Sequence, residues 1–229
     1  MSTIPKSLRE DLLAELLFIN SLTDSSGNGY TLSNNGTTVT SDYLNRANRA
    51  RNFVAASTQY LYNGTLLDTV PTGFTVSFWV SSTNGFSSAS STNEYLISKE
   101  NISGADRFNI LFDAATGSIR VFYEESNNGT LDLYSTTTTW TADVWRMVTF
   151  TWGTTNGAVL YIDTIAEDTN ASDTTVMGNG TNNDFIIGSA RTFAATLNGN
   201  MTAIRVWGRE ITDTNEIKQL YLRGIGTPI

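Results

Sequence analysis

Two adjacent carboxylates, Glu124 and Glu125, are the nearest this chain comes to a catalytic pair. Retaining glycoside hydrolysis needs two carboxyl groups about 5 Å apart, one acting as acid and one as nucleophile. Positions i and i+2 of a strand supply roughly that separation, because their side chains stand on one face. Adjacent residues point to opposite faces instead. Glu124 and Glu125 also run into Ser126-Asn127-Asn128-Gly129, which reads as a turn. No Glu-x-Asp or Glu-x-x-x-Glu pattern falls on a segment that reads as a strand, so the residues point away from an enzyme. Carboxylates converging from separate strands stay open as the alternative.

The chain contains no His and no Cys. That excludes Ser-His-Asp and Cys-His catalysis, disulfides and thiolate-bound zinc. The chemistry left belongs to carboxylates, amides, hydroxyls, Lys, Arg or a hard cation. Aromatic side chains offer another function, recognition, since a flat apolar ring can stack on a sugar. Phe86, Tyr134, Trp140 and Phe193 lie in or beside polar segments and are the candidates for an exposed binding surface. Phe78, Phe150, Trp152 and Trp207 lie in alternating apolar runs and read as core.

Charge narrows the partners. The formal net charge is −8 over 229 residues, which disfavours nucleic acid and anionic lipid. Arg46, Arg49 and Arg51 form the densest basic group and read as a solvated loop. No stretch is long and apolar enough for a membrane-spanning helix. The first apolar run follows several charges and has no small-residue cleavage site, so a standard signal peptide is not expected.

The elements that must position these residues are strands. Trp145 to Trp152 alternates, with Val148, Phe150 and Trp152 on one side, and Asn156-Gly157 turns it into Val159 to Asp163. Phe74 to Val80, Tyr95 to Ser98, Arg107 to Phe112, Ser118 to Tyr123, Leu131 to Tyr134, Phe185 to Gly188 and Met201 to Trp207 follow the same logic. Leu12 to Phe18 fits either an amphipathic helix or a half-buried strand. Only the segment after Thr212 and Asp213 reads firmly as helix, with Ile217, Leu220 and Tyr221 on one face. The pattern predicts an all-β antiparallel sandwich or barrel with one short C-terminal helix. Residues 1–11 form an N-terminal arm, 12–224 one domain and 225–229 a tail.

In order and spacing, Trp145 to Trp152, Ala158 to Asp163, Phe185 to Ser189, Gly199 to Trp207 and Ile211 to Leu222 together resemble the concanavalin A-like lectin/glucanase superfamily, in its laminin-G-like jelly-roll branch. Leu12 to Phe18 followed by Asp24-Ser25-Ser26-Gly27-Asn28-Gly29 is similar to that branch's first strand and turn. The resemblance implies a jelly-roll β-sandwich, a strand for Leu12 to Phe18, and a concave face that holds glycans. It also implies a structural calcium, with Asp24 and Asn28 as ligands. Thr202-Ala203 stands where relatives often carry an acidic pair, a departure from the pattern.

The resulting expectation is a non-catalytic recognition protein. A virus or phage particle surface protein that binds glycans is one form of it. A carbohydrate-binding or adhesion module of a cellular protein is the alternative, and a glycoside hydrolase is the least favoured. Expected partners are glycan or virion proteins, with a homo-oligomer held through the N-terminal arm or the tail. The expected location is a virion or extracellular surface, after cytoplasmic synthesis.

Overall fold

The computed structural model describes residues 6–69, 71–100, 107–178 and 184–223. A 3-10 turn over Lys6–Arg9 leads into β1 (Leu12–Leu16), β2 (Ser33–Asn35), β3 (Thr38–Thr40), β4 (Ala50–Phe53), β5 (Tyr60–Asn63), β6 (Gly73–Ser82) and β7 (Phe86–Ser87). The chain continues through β8 (Glu94–Lys99), β9 (Phe108–Phe112), β10 (Ile119–Glu124), β11 (Thr130–Tyr134) and β12 (Thr139–Trp140). Then come β13 (Arg146–Gly153), β14 (Gly157–Ile162), β15 (Ile165–Asn170), β16 (Phe185–Ile187), β17 (Gly199–Trp207) and α1 (Thr214–Arg223).

Two antiparallel sheets result. The first runs β15-β14-β13-β6-β17-β4-β3, with β1 paired to the far half of β17. The second runs β11-β10-β9-β8-β16-β5-β2. Sequence neighbours cross repeatedly between the sheets, as in a jelly roll. Leu12 to Leu16 is a strand despite its helical leucine spacing, because pairing with β17 places Ala14 and Leu16 in the core at 0% exposure. The β13–β14 hairpin is as the alternation predicts, Val148 facing Ile162 and Phe150 facing Leu160.

The main core lies between the sheets. Phe74 and Phe150 of the first sheet meet Phe108 of the second, with ring centroids 5.2 Å and 5.8 Å away. Trp152 sits behind them, 5.9 Å from Phe74, and donates its indole N–H to the Asp173 carbonyl at 3.1 Å. Phe78, Val148, Phe150 and Trp152 are all fully buried.

Trp207 is a correction to the sequence reading, which places it beside Phe78. It points out of the other face of the first sheet, into a second apolar layer with Leu8, Trp79, Met147, Ile217 and Leu220. Val206 takes the inward position, and Trp207 lies opposite Thr75, another outward residue. The Trp207 indole N–H donates to the Leu8 carbonyl at 3.0 Å. Leu8 is itself fully buried, so the N-terminal arm is part of this layer and not free along its length. Ile4, Pro5 and the tail 225–229 lie outside the described residues.

Helix α1 closes the second layer. Asp213 caps it, its Oδ1 accepting the Asn215 N–H at 2.8 Å. Tyr43 stacks on Trp79 at 4.0 Å, and Tyr221 covers the same ring at 5.1 Å. The first sheet is therefore buried on both faces, and every residue of β6 is buried. The second sheet is covered less evenly, with every residue of β9 and β16 buried. Its strands β10 and β11 alternate between buried and accessible positions, the pattern of a sheet with one face left open.

Phe150→Ala removes the ring shared by both sheets and is expected to destabilise by about 3–5 kcal/mol. Urea unfolding checks this, and a midpoint close to the parent's would refute the central role of Phe150.

Candidate functional site

The outer face of the second sheet carries its side chains in rows set by strand register, accessible at β10 and β11 and buried at Leu111, Asn109 and Ser98. One row reads Tyr95, Leu111, Arg120 and Tyr134 across β8, β9, β10 and β11. The next reads Ser98, Asn109, Phe122 and Asp132. Arg107 and Glu124 stand at the end of the face. Tyr95, Arg107, Asn109, Leu111, Arg120 and Phe122 line a recess of about 200 Å³.

Phe122 is flanked by two guanidinium groups, Arg107 at 4.9 Å and Arg120 at 5.0 Å from its ring centre. Arg120 also lies 5.5 Å from the Tyr134 ring. Such cation–π contacts hold the long side chains in place without burying them. Each guanidinium also has a carboxylate. Arg107 donates Nε to Glu124 Oε1 at 2.9 Å, and Arg120 donates Nε to Asp132 Oδ1 at 2.5 Å. The bond to Asp132 is the main reason the Arg120 pKa is raised. Burial, then the negative charge of Glu100, pushes the Tyr95 phenol up, and burial and Asp132 do the same to Tyr134. Both phenols therefore remain protonated and able to donate.

Asn109, which lines the recess, and its cross-strand neighbour Ser98 each bury an oxygen, Oδ1 and Oγ, with no hydrogen-bond partner among the described residues. Asn109 is 4% exposed and Ser98 0%. Buried polar atoms are nearly always paired, so an orphan on a candidate binding face points to a group that arrives with a ligand or a water.

A second patch lies on the same sheet at β5. Tyr60 and Tyr62 alternate with the buried Leu61 and face outward, and Phe193 stacks on Tyr60 at 4.4 Å. Between the patches Ser98 and Ile186 are buried, so the accessible surface is split in two.

The structure thus brings Tyr134 and Phe193 to the open sheet, both partly exposed, though in different patches. The exposure expected of Phe86 and Trp140 is a correction. They are 3% and 6% exposed and pack about Phe112, at 5.0 Å and 5.2 Å. The short strands β7 and β12 pair Phe86 with Trp140 over the end of the sandwich, and the Trp140 indole N–H donates to Gly117 O at 2.8 Å. They plug the core's end, each with one edge on a recess of about 290 Å³.

Asp24 and Asn28 occupy the first turn, as the resemblance implies, but do not fit a calcium ion. Asp24 accepts the N–H groups of Glu15 and Ser26 at 2.8 Å, the Ser26 hydroxyl at 2.7 Å and the Tyr30 N–H at 3.2 Å. Burial raises its pKa, but these bonds outweigh burial and the net shift is downward. Asn28 turns its N–H groups towards the Leu12 and Leu13 carbonyls, at 2.9 Å and 3.0 Å. Calcium wants six to eight oxygens directed at one point. Here the carboxylate faces protein donors and the amide presents a donor, so the pair ties the turn to β1. Among the described residues no group of three or more acidic side chains gathers as a metal site.

Glu124 and Glu125 part ways as strand alternation requires. Glu124 joins Arg107 on the open face. Glu125 bridges to Met177 and lies beside Asp173, whose Oδ1 accepts the Tyr123 hydroxyl at 2.8 Å. Burial, then the Asp173 charge, raises the Glu125 pKa. Carboxylates from separate segments do converge here, but away from the recess beside Phe122.

Arg107, Asn109, Arg120, Phe122 and Tyr95 belong to this candidate site and were not singled out from the sequence. Their signal was present. They are the off-core positions of strands whose core positions, Phe108, Ile110, Val121 and Tyr123, were legible.

A family model described as the concanavalin A-like lectin/glucanases superfamily, Laminin_G_3, matches residues 55–217. No curated protein matches the sequence. Among solved structures, the binding domain of botulinum neurotoxin serotype G superposes with a TM-score of 0.72 at 15% identity, over 93% of this chain and 51% of that one. The ligand binding domain of serotype D, in complex with N-acetylneuraminic acid, gives 0.67 at 15%, over 94% and 51%. Domain 4 of AbnA, a GH43 extracellular arabinanase from Geobacillus stearothermophilus, in complex with arabinotriose, gives 0.71 at 14%, over 91% and 97%. The chain spans about half the length of the toxin domains and nearly all of the arabinanase domain.

Two outcomes are expected at the titratable and polar sites. Calcium or EDTA should leave the melting temperature unchanged, while Asp24→Ala should lower it, since each buried N–H left unpaired costs about 1–3 kcal/mol. A calcium-dependent rise in melting temperature would restore the metal reading.

Glu94 accepts the Asn198 N–H at 3.2 Å and helps fix the segment that carries Phe193. Burial raises its pKa from 4.5 to about 7, against the pull of that bond. The protonated form favours the fold, so this contribution is full below pH 4.5 and is lost as pH rises through about 7. Glu94→Gln should flatten this slope and be more stable than the parent above pH 7. Superimposable curves of melting temperature against pH for the two proteins would refute it.

Proposed function

The chain belongs to the concanavalin A-like lectin/glucanases superfamily, and from that premise we propose that it is a non-catalytic glycan-binding module whose ligand lies on the open face of the second sheet. The observation that carries this is the recess beside Phe122. It combines ring faces, fixed guanidinium donors and orphan oxygens, the mixture that a sugar's C–H faces and hydroxyl groups require. Two structures of the same fold were solved with arabinotriose and N-acetylneuraminic acid, which supports a glycan as the ligand class.

The geometry suits recognition more than turnover. Glu124 and Asp132, the carboxylates in the rows around Phe122, are each tied to an arginine. A general acid needs a carboxyl group that keeps its proton near neutral pH. Here both carboxylates instead accept hydrogen bonds from arginine side chains.

The narrower placement on a virus or phage particle is our proposal from composition: a cysteine-free chain rich in Thr and Asn suits assembly in a reducing compartment. Finding the chain among the proteins of purified particles would support it, and consistent absence would remove it.

Tyr134→Ala and Arg120→Ala are each expected to weaken binding of a glycan found by array screening by about 10-fold, the loss of one stacking or charge-assisted contact. Titration calorimetry on variants with parental circular dichroism checks this. Unchanged affinity in both would move the site elsewhere, with the Tyr60–Phe193 patch as the next surface to test.

A further inference from the structure

We propose that the recess beside Phe122 selects uncharged sugars and discriminates against those presenting a carboxylate or sulfate there. This rests on the glycan-binding reading of the same face. Two arginines on a recognition surface would ordinarily suggest an anionic ligand, since a guanidinium fork matches a carboxylate. The geometry points the other way. Arg107 is bound to Glu124 through both Nε and Nη2, and Arg120 to Asp132. The two positive charges are thus matched by two negative ones within the site.

The surroundings add negative charge. Glu100 and Asp113 are both close enough to raise the Tyr95 pKa, and Asp113 also acts on Arg120 and Tyr134. The whole chain carries −8. An arriving carboxylate would have to displace Glu124 from Arg107 or share Arg120 with Asp132, and in either place it would face the remaining acids. Like-charge juxtaposition of this kind is how interfaces reject wrong ligands.

The orphan oxygens argue the same way by a separate route. Asn109 Oδ1 is an acceptor and needs a donor. A sugar hydroxyl supplies an O–H, directly or through one water, and a carboxylate or sulfate supplies none. The accessible lone pairs of Glu124 and Asp132 are acceptors as well, while the Tyr95 and Tyr134 phenols and the guanidinium N–H groups donate. A neutral polyol donates and accepts at every hydroxyl and can satisfy both sets. A carboxylate or sulfate group placed there satisfies only the donors. The recess, at about 200 Å³, lies below the usual range for drug-sized ligands and suits one ring of a longer chain.

The test is an array of neutral and acidic oligosaccharides probed with the full chain. It is repeated with the double variant Glu124→Gln/Asp132→Asn, which frees both guanidinium groups. Both pairs are partly accessible at the sheet surface, where ion pairs contribute little to stability, so the variant is expected to fold, and circular dichroism verifies it. The parent should bind neutral glycans, with affinity flat between low and moderate salt. The double variant should gain binding to acidic glycans by about 10-fold, and that gain should fall with salt. Parent binding confined to acidic glycans, or a variant with no such gain, overturns the selectivity. Failure of the parent to bind any glycan overturns instead the glycan reading on which it rests.

Discussion

The structure depends on one contact, the meeting of aromatic rings between the two sheets. Phe74 and Phe150 come from neighbouring strands of the first sheet, and Phe108 comes from the second. Their centroids form a triangle with sides of 5.2, 5.5 and 5.8 Å. Edge-on and tilted rings at such distances favour one another beyond simple burial. Register does the rest. Once Phe150 lies opposite Val76 and Phe108 opposite Tyr123, each strand's alternate residues are fixed to the other face. The inward rings therefore determine which residues stand outward, including Arg120, Phe122 and Tyr134.

What happens to those outward residues differs between the sheets. The first sheet's outer face carries Trp79, Met147, Tyr161 and Trp207, too apolar to leave in water, and α1 with the Lys6–Arg9 turn covers it. A buried ion pair, Glu15 with Arg205 at 2.9 Å, joins cross-strand neighbours in this covered layer. Removing one partner of such a pair leaves a buried charge unmatched, so it fixes the β1–β17 pairing more than it adds stability. The second sheet's outer face is polar enough to stay open. The edge between the sheets is closed by carboxylates. Asp168 Oδ2 accepts the Tyr134 N–H at 2.8 Å, and Glu167 accepts the Thr137 N–H at 2.9 Å. Donors that would otherwise invite another strand are so occupied.

The fold was largely legible because it is written in period-2 alternation, which the core rows of β6, β9, β10 and β13 display plainly. Trp207 was misplaced because alternation alone cannot count a bulge. The irregular register between Thr202 and Arg205, with Ala203 at φ 50°, lies in the middle of β17. A one-residue irregularity changes which face every later residue takes. Phe86 and Trp140 were misread for a different reason. Polar neighbours mark a loop, yet a loop that crosses the open end of a sandwich must carry its own apolar plug. Sequence shows the composition of such a segment and not its direction.

The candidate site was the least legible part, and the reason is physical. Arg107, Asn109 and Phe122 are unremarkable off-core residues singly. They become a site only because β9 and β10 are antiparallel neighbours in one register, which puts Asn109 directly across from Phe122. The candidate site belongs to rows that cross several strands, each strand contributing one residue. A motif search along the chain looks in the perpendicular direction. The same geometry explains how a shared fold carries different ligands: strand register holds positions constant while the outward residues vary with little cost to the core. In this chain those positions hold arginines already matched by Glu124 and Asp132, so the charge of the face is set by local pairs and not by the sheet that displays them.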